Sequence, residues 1–323
     1  MPPRAPGRII GTSEGLSADQ FAAFDWFLLV VIAAFWGSTF LFIDIGLDHF
    51  TPGLIVILRL AFGVAALALV PAARKPIDRQ DWPQLLVMAA IWLALPIALM
   101  PLAQQRIDSS FAGMLSGAVP LIAALVAALL LRRRPGRIQL IGLIIGFAGI
   151  LAITIPTTGG ESASVLGTIL MLLVVLCFGV GTNLAVPLTQ RYGALPAMLN
   201  AQAISLIMVL PYAATDVADS SFAVDSFLAI LALGLTSSGG ALIAMSTLAS
   251  RVGAPRANVA VYFVPIVAIV LGVLIRDDTV KAIAIGGIAL VLIGAFLTSR
   301  ADTRPPQRPT DPVPPTSKPA HAP

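Results

Sequence analysis

Charge is what this chain has least of. Asp, Glu, Lys and Arg make up 11% of its 323 residues, against about 25% in soluble globular chains. A soluble surface needs roughly a quarter to a third of its residues ionisable, so lipid must be the solvent for much of the exterior. Cysteine is nearly missing too. Cys177 stands alone in an apolar stretch, which excludes an internal disulfide framework and a cysteine-based metal site. The two histidines, His49 in a short loop and His321 near the C-terminus, cannot supply the roughly four converging ligands of a structural zinc. No histidine or glutamate falls inside an apolar stretch, and no phosphate-binding loop is present. Gly179-Val180-Gly181 lacks the rest of a dinucleotide fingerprint and follows no strand. Ser237–Ser238 could offer a nucleophile, but no base is evident at that depth. These absences argue against a membrane-embedded enzyme and against an ATP-driven pump, and no cofactor is expected.

What the chain has in abundance is apolar length. It is 58% hydrophobic with a mean hydropathy of +0.93. Its charges cluster in short runs such as Asp78-Arg79-Gln80-Asp81 and Arg132-Arg133-Arg134. Between the runs lie apolar stretches of about 18–25 residues, the length a helix needs to cross about 30 Å of hydrocarbon. The stretches are 26–46, 53–72, 83–102, 109–131, 138–156, 165–187, 195–214, 224–249, 255–275 and 280–299. They are continuously apolar and do not alternate, which excludes a β-barrel. In lipid each must be a helix, because only a helix satisfies its own backbone groups there. The expected fold class is an all-α integral membrane protein with ten transmembrane helices.

The ends differ from the middle. Residues 1–25 form a polar N-terminal arm, and a signal peptide is not expected, because the first apolar run starts late and lacks a small-residue cleavage site. Residues 300–323 form a Pro-rich tail, with eight prolines among 301–323, which cannot hold a helix and is expected to be solvated and disordered. With the amino terminus inside, the inside loops carry ten Lys and Arg residues and the outside loops three. That bias predicts both termini in the cytoplasm. It also explains the sequence pI of about 9.7 better than nucleic acid does, since the basic residues flank apolar helices.

The chain repeats itself. At a shift of 145 residues, Val119–Pro120 meets Val264–Pro265, Gly142 meets Gly287 and Gly149 meets Gly294. At a shift of 142, Phe35-Trp36-Gly37 meets Cys177-Phe178-Gly179. Each half then holds five helices, 26–156 and 157–299, and an odd number inserts the second half upside down. Inverted repeats are a hallmark of secondary transporters, whose substrate site lies near the midplane between the halves.

The segment FWGSTFLFIDIGL (Phe35 to Leu47), followed by Pro52 and Arg59, resembles the opening of an EamA-type domain. ASRVGAPRANVAVYFVPIVAIVLGVL (Ala249 to Leu274) resembles its fourth helix and RIQLIGLIIGFAGILAI (Arg137 to Ile153) its fifth. The resemblance is to the EamA-type branch of the drug/metabolite transporter superfamily. It implies two five-helix copies, cytoplasmic termini, and export or exchange of small metabolites across the inner membrane of a bacterium. The chain departs from the family at Asp44, where a Lys is common, and at Arg132–Arg133, where a Gly-Glu pair is common.

An ionisable group inside a span costs about 2.5–3.5 kcal/mol on insertion scales, so it needs a partner or a wet cavity. Asp44 near the end of the first span and Arg59 in the second could pair across their hairpin. Equally, Arg59 could snorkel and Asp44 face water; a coupling role for Asp44 is a further option. At mid-depth, Trp36, Ser38, Thr39, Phe178, Thr182, Asn183, Gln202, Ser237, Ser238, Asn258 and Tyr262 are candidates to line a substrate cavity. The bland alternative for each is an interhelical hydrogen bond. Gly142, Gly146, Gly149, Gly287 and Gly294 read as helix-packing positions, and Pro120 and Pro265 as kinks or hinges. The expected partners are a small-molecule substrate and membrane lipid, with no nucleic acid; homodimerisation is compatible with the sequence, which leaves oligomeric state open.

Overall fold

The computed structural model describes residues 22–130, 137–157, 164–252 and 257–299. The polar N-terminal arm lies almost wholly outside the described residues, as do the Pro-rich tail and the Arg132–Arg134 run. Among the described residues the chain is helical, without strands. The helices are α1 (Ala23–Leu47), α2 (Pro52–Ala68), α3 (Arg79–Gln104), α4 (Ser109–Leu129), α5 (Arg137–Thr157), α6 (Val165–Tyr192), α7 (Ala194–Ala213), α8 (Val224–Val252), α9 (Asn258–Arg276) and α10 (Ala282–Ser299). Seven of these are long and apolar enough to cross a membrane; α2 and the apolar parts of α5 and α10 are shorter. Large hydrophobic side chains such as Ile144 on α5, Ile207 on α7 and Leu274 on α9 are exposed on the outer faces. An exterior this apolar suits hydrocarbon and not water.

Local chemistry sets the helix ends. Pro52 occupies the first turn of α2, and the Thr51 side chain accepts from Leu54 N at 3.5 Å, a combination that starts helices without wasting a donor. Ser164 caps α6 by accepting from Gly167 N at 3.2 Å. Gly193 turns the chain between α6 and α7 at φ +90°, a region open to glycine and strained for other residues.

The glycines of α5 and α10 bring two backbones together. A Cβ on Gly294 would lie 2.5 Å from Gly142 O and 2.5 Å from Gly146 N, and one on Gly149 would lie 2.6 Å from Gly287 O. Lipid gives helices little hydrophobic reason to associate, so such close van der Waals contact is what holds them.

Two kinds of backbone irregularity recur along the chain. α3 widens into a π-helix over Ala89–Ala94, and α8 does so over Gly234–Gly240. The two starts are 145 residues apart. α4 is interrupted at Gly117–Ala118 just before Val119–Pro120, and α9 runs as a 3-10 helix over Asn258–Phe263 up to Val264–Pro265. Proline has no N–H and its ring crowds the carbonyl four residues back, so the disturbance falls on the N-terminal side of each proline. The kinks expected at Pro120 and Pro265 therefore take the form of an interruption and a 3-10 stretch preceding them.

Candidate functional site

The π-helical stretch of α8 is the centre of a polar cluster. A π turn shifts the hydrogen-bond spacing and leaves a carbonyl without its usual partner inside the helix, so side chains from neighbours can supply donors. Trp36 Nε1 on α1 donates to Ser237 O at 3.2 Å. Gln202 Nε2 on α7 donates to Ser238 O at 2.8 Å. The side chains of the same two serines are engaged as well. Thr39 Oγ1 and Ser237 Oγ are 2.7 Å apart, and Arg59 Nε on α2 donates to Ser238 Oγ at 3.3 Å. Helices α1, α2, α7 and α8 thus meet through one connected network near the middle of each. Small residues make the approach possible: a Cβ on Gly63 would lie 2.5 Å from Gln202 Oε1 and 2.7 Å from Ser238 Cβ, and one on Gly239 would lie 2.6 Å from Ala66 Cβ.

Arg59 is 7% exposed. Apart from Ser238 its only described polar contact is Nη1 to Met100 Sδ at 3.7 Å. Among the described residues no carboxylate pairs with it; the ion pairs belong to Arg191, Arg251 and Arg276. Of the alternatives open for Asp44 and Arg59, their mutual pair does not form among the described residues. Asp44 instead pairs with Arg276 Nε at the end of α9, and Arg276 also grips Asp48 through Nη1 at 2.9 Å and Nη2 at 2.8 Å. The reason is depth: Asp44 lies about one turn from the end of α1, level with the end of α9, whereas Arg59 lies two turns into α2.

A cavity of about 490 Å3 opens at this end of the helices, lined by Asp44, Leu47, Asp48, Gln104, Gln105, Arg106 and Arg276. Gln104 forms part of its wall. Its Nε2 donates to Phe40 O at 2.8 Å, while its buried Oε1 has no partner. Nearby, Asp278 caps α4 from another segment of the chain, accepting from Ser109 Oγ at 2.9 Å and Ser110 N at 2.8 Å. Asp108 sits beside this group, and its carboxyl is pushed up to about 6 by burial first and then by the negative charges of Asp278 and Asp44. The opposite end is tied by Arg251 to Asp25 across α8 and α1, and by Arg191 to Asp78 and Asp81.

The mid-depth candidates divide. Trp36, Thr39, Gln202, Ser237 and Ser238 converge with Arg59. The others go elsewhere. Ser38 Oγ donates to Phe35 O in its own helix, and Thr182 is exposed with its hydroxyl on Phe178 O. Phe178 packs against the large apolar core and Asn183 Nδ2 donates to Ala123 O. Tyr262 donates to Ala295 O, and Asn258 is exposed. Sequence reasoning missed Met100, Gln104, Arg276, Asp48 and Asp108. Met100 is apolar by type, Gln104 lies just past an assigned span end, and Arg276 read as a topological charge. The adjacent Asp277–Asp278 and the four-residue spacing of Asp44 and Asp48 at the end of the first span are the signals that could have drawn attention to that end.

Comparisons with known proteins agree with this architecture. The sequence profile of the EamA-like transporter family matches residues 25–155 and again 165–300. An "Uncharacterized transporter" of Archaeoglobus fulgidus is 22% identical over 275 residues, covering 85% of this chain and 98% of that protein. A "Probable terminal-alkyne amino-acid exporter" of Streptantibioticus cattleyicolor is 24% identical over 279 residues, covering 85% and 93%. The "Uncharacterized inner membrane transporter YedA" of Escherichia coli is 25% identical over 282 residues, covering 83% and 90%. A solved structure described only as the crystal structure of a protein superposes with a TM-score of 0.57 at 16% identity, covering 85% of this chain and 97% of that one, and speaks to the fold alone. The family and the relatives point to a non-enzymatic membrane transporter. With both matched stretches together spanning most of its length, the chain belongs to the EamA-like transporter family.

Proposed function

We propose that this chain is a secondary transporter that exports small metabolites, amino-acid-like or drug-like compounds, by alternating access of two inverted repeats. In this reading α1–α5 and α6–α10 are two bundles of five membrane-crossing helices. They occupy residues 26–156 and 157–299 of a bacterial inner-membrane protein, with the arm and the tail in the cytoplasm. The observation that carries it is the recurrence of backbone irregularities. The π-helical stretches start 145 residues apart, at Ala89 and Gly234, and the irregular turns before Pro120 and Pro265 keep the same offset. Two halves of like shape related by an in-plane axis can exchange inward-open and outward-open states at similar energy.

The loop charges support placing the 490 Å3 cavity on the outer side. The Arg276 ties to Asp44 and Asp48 then act as an outer latch, and the ties at Arg251 and Arg191 as an inner one. The exporter from Streptantibioticus cattleyicolor supports the amino-acid-like part of the substrate range.

Topology and transport are tested separately. In a Cys177→Ala background, an impermeant maleimide added to intact cells should label Gln105→Cys and Asp277→Cys. Gln190→Cys should react only after the membrane is opened. Labelling of all three from outside would break the inverted arrangement. Purified protein in liposomes should show saturable counterflow of amino acids or small drug-like compounds. A protein that catalyses none would be a scaffold.

A further inference from the structure

We propose that Arg59 binds the carboxylate of the transported compound, so that the substrate class is a carboxylic acid carrying a hydrogen-bond donor beside the carboxylate, of which an α-amino acid is the smallest. The inference rests on the transporter reading above.

A guanidinium offers five N–H donors in a planar fork. Arg59 uses Nε on the Ser238 hydroxyl at 3.3 Å and Nη1 on the Met100 thioether at 3.7 Å, a weak acceptor. No carboxylate among the described residues balances its charge. A buried charge is normally paired or coordinated, and the fork matches a carboxylate through two parallel bonds.

A second buried group is also incomplete. Gln202 donates through Nε2 to Ser238 O, leaving its Oε1 buried without a partner. Both side chains thus hold the same serine, Arg59 by its hydroxyl and Gln202 by its carbonyl. An unfilled set of donors and an unfilled acceptor stand on either side of Ser238. A carboxylate on Arg59 with an ammonium or N–H reaching Gln202 Oε1 would complete both. Ser238 itself is kept on station by the π turn, which places its carbonyl and hydroxyl toward α2 and α7 together.

Met100 stands between Arg59 and the cavity. Met100 lies one turn from Gln104 on α3, and Gln104 lines the cavity with its own buried Oε1 unfilled. The cavity wall, Met100 and Arg59 follow one another. Met100 is unbranched, and its side chain can swing aside where a branched one could not.

The test uses the full-length protein in liposomes and a fixed panel: the proteinogenic L-amino acids, their methyl esters, their decarboxylated amines and the matching α-keto acids. Counterflow of at least one amino acid is expected, with its ester and amine at least ~10-fold weaker, the discrimination expected when a polar site is left unpaired. The keto acid, which keeps the carboxylate and loses the donor, should fall between. This comparison needs no variant. Arg59→Met should abolish carboxylate flux and Arg59→Lys should reduce it. In the absence of substrate, Arg59→Met should unfold at the same temperature as the unmodified protein or higher, because it removes an uncompensated charge. A merely structural arginine would give the opposite, a lowered midpoint. Esters or amines carried as well as the parent acids would overturn the inference and leave the transporter intact, as would carboxylate flux unaffected by Arg59→Met. Absence of saturable flux for every compound, charged or neutral, would overturn the transporter reading and this inference together.

Discussion

The π-helical stretches of α3 and α8 make the same backbone departure 145 residues apart, yet they are chemically opposite. The α3 stretch reads AAIWLA and the α8 stretch GLTSSGG. At the α3 stretch the buried Ser205 hydroxyl of α7 lies between two carbonyls, Ala89 O at 2.9 Å and Ala201 O of its own helix at 2.7 Å. Nothing else polar gathers there in the described contacts. In α8 two carbonyls and two hydroxyls are used, by Trp36, Thr39, Arg59 and Gln202. Duplication of shape thus comes without duplication of chemistry. The backbone departure recurs in both places, while the polar contacts gather at α8 alone among the described contacts.

The comparison breaks hardest where the two copies touch. At the α5–α10 contact a new Cβ has backbone, not side chain, in its way. Gly294→Ala meets Gly142 O and Gly146 N, each at 2.5 Å, and neither can rotate aside. Overpacking of this kind costs about 1–3 kcal/mol, and Gly294→Leu should cost more or prevent folding. Gly286→Ala, one face away on the same helix, has nothing within 4 Å. It should be neutral or stabilising by up to about 1 kcal/mol from helix propensity. Thermal unfolding of the two alanine variants in detergent measures the gap, and equal midpoints would mean that α5 and α10 are not this close.

The two serines sharpen it further. Ser205→Ala removes a hydroxyl that Ala89 O and Ala201 O share and should cost about 1 kcal/mol of stability while leaving transport kinetics unchanged. Ser238→Ala keeps the carbonyl that Gln202 uses but removes the hydroxyl that orients Arg59. A hydrogen bond to a charged group is worth about 1.5–3 kcal/mol. Flux should therefore fall by roughly tenfold or more, and the unfolding midpoint of the empty protein should fall too, because the bond is present without substrate. If the two variants lose flux equally, the asymmetry between α3 and α8 has no functional content.

How much of this was visible in the sequence follows from what a one-dimensional reading measures. Apolar length and the scarcity of charge determine that the chain is helical in lipid, because no other backbone is satisfied there. The paired prolines and glycines mark the repeat, since each is a backbone constraint and not merely a hydrophobic residue. Trp36, Thr39, Gln202, Ser237 and Ser238 stood out because polar groups in a span are costly. Depth can be counted along a span, but the direction a side chain faces cannot. Hence Arg59 looked like a neighbour of Asp44, while the partner Asp44 has is Arg276, on α9. The π turns were invisible for a related reason: they are stabilised by donors from other helices, such as Ser205 and Trp36, and leave no mark in local propensity.

The smallest effect lies at the mouth of the cavity, in Asp108. Its carboxyl is held up to about 6, against 3.8 for an unperturbed group, by burial and by the charges of Asp278 and Asp44. A raised pKa in the folded protein means that the folded state binds a proton more tightly than the unfolded chain does. Folding stability should then fall as pH rises from about 4 to about 6. The penalty is absent below 3.8 and fully present above 6. Asp108→Asn should erase that slope. The variant should match the unmodified protein near pH 4 and exceed it near pH 7, by a small margin because the group is only half-buried and solvent screens it. Equal stability of the two proteins at pH 7 would mean that burial and the neighbouring charges do not act on Asp108.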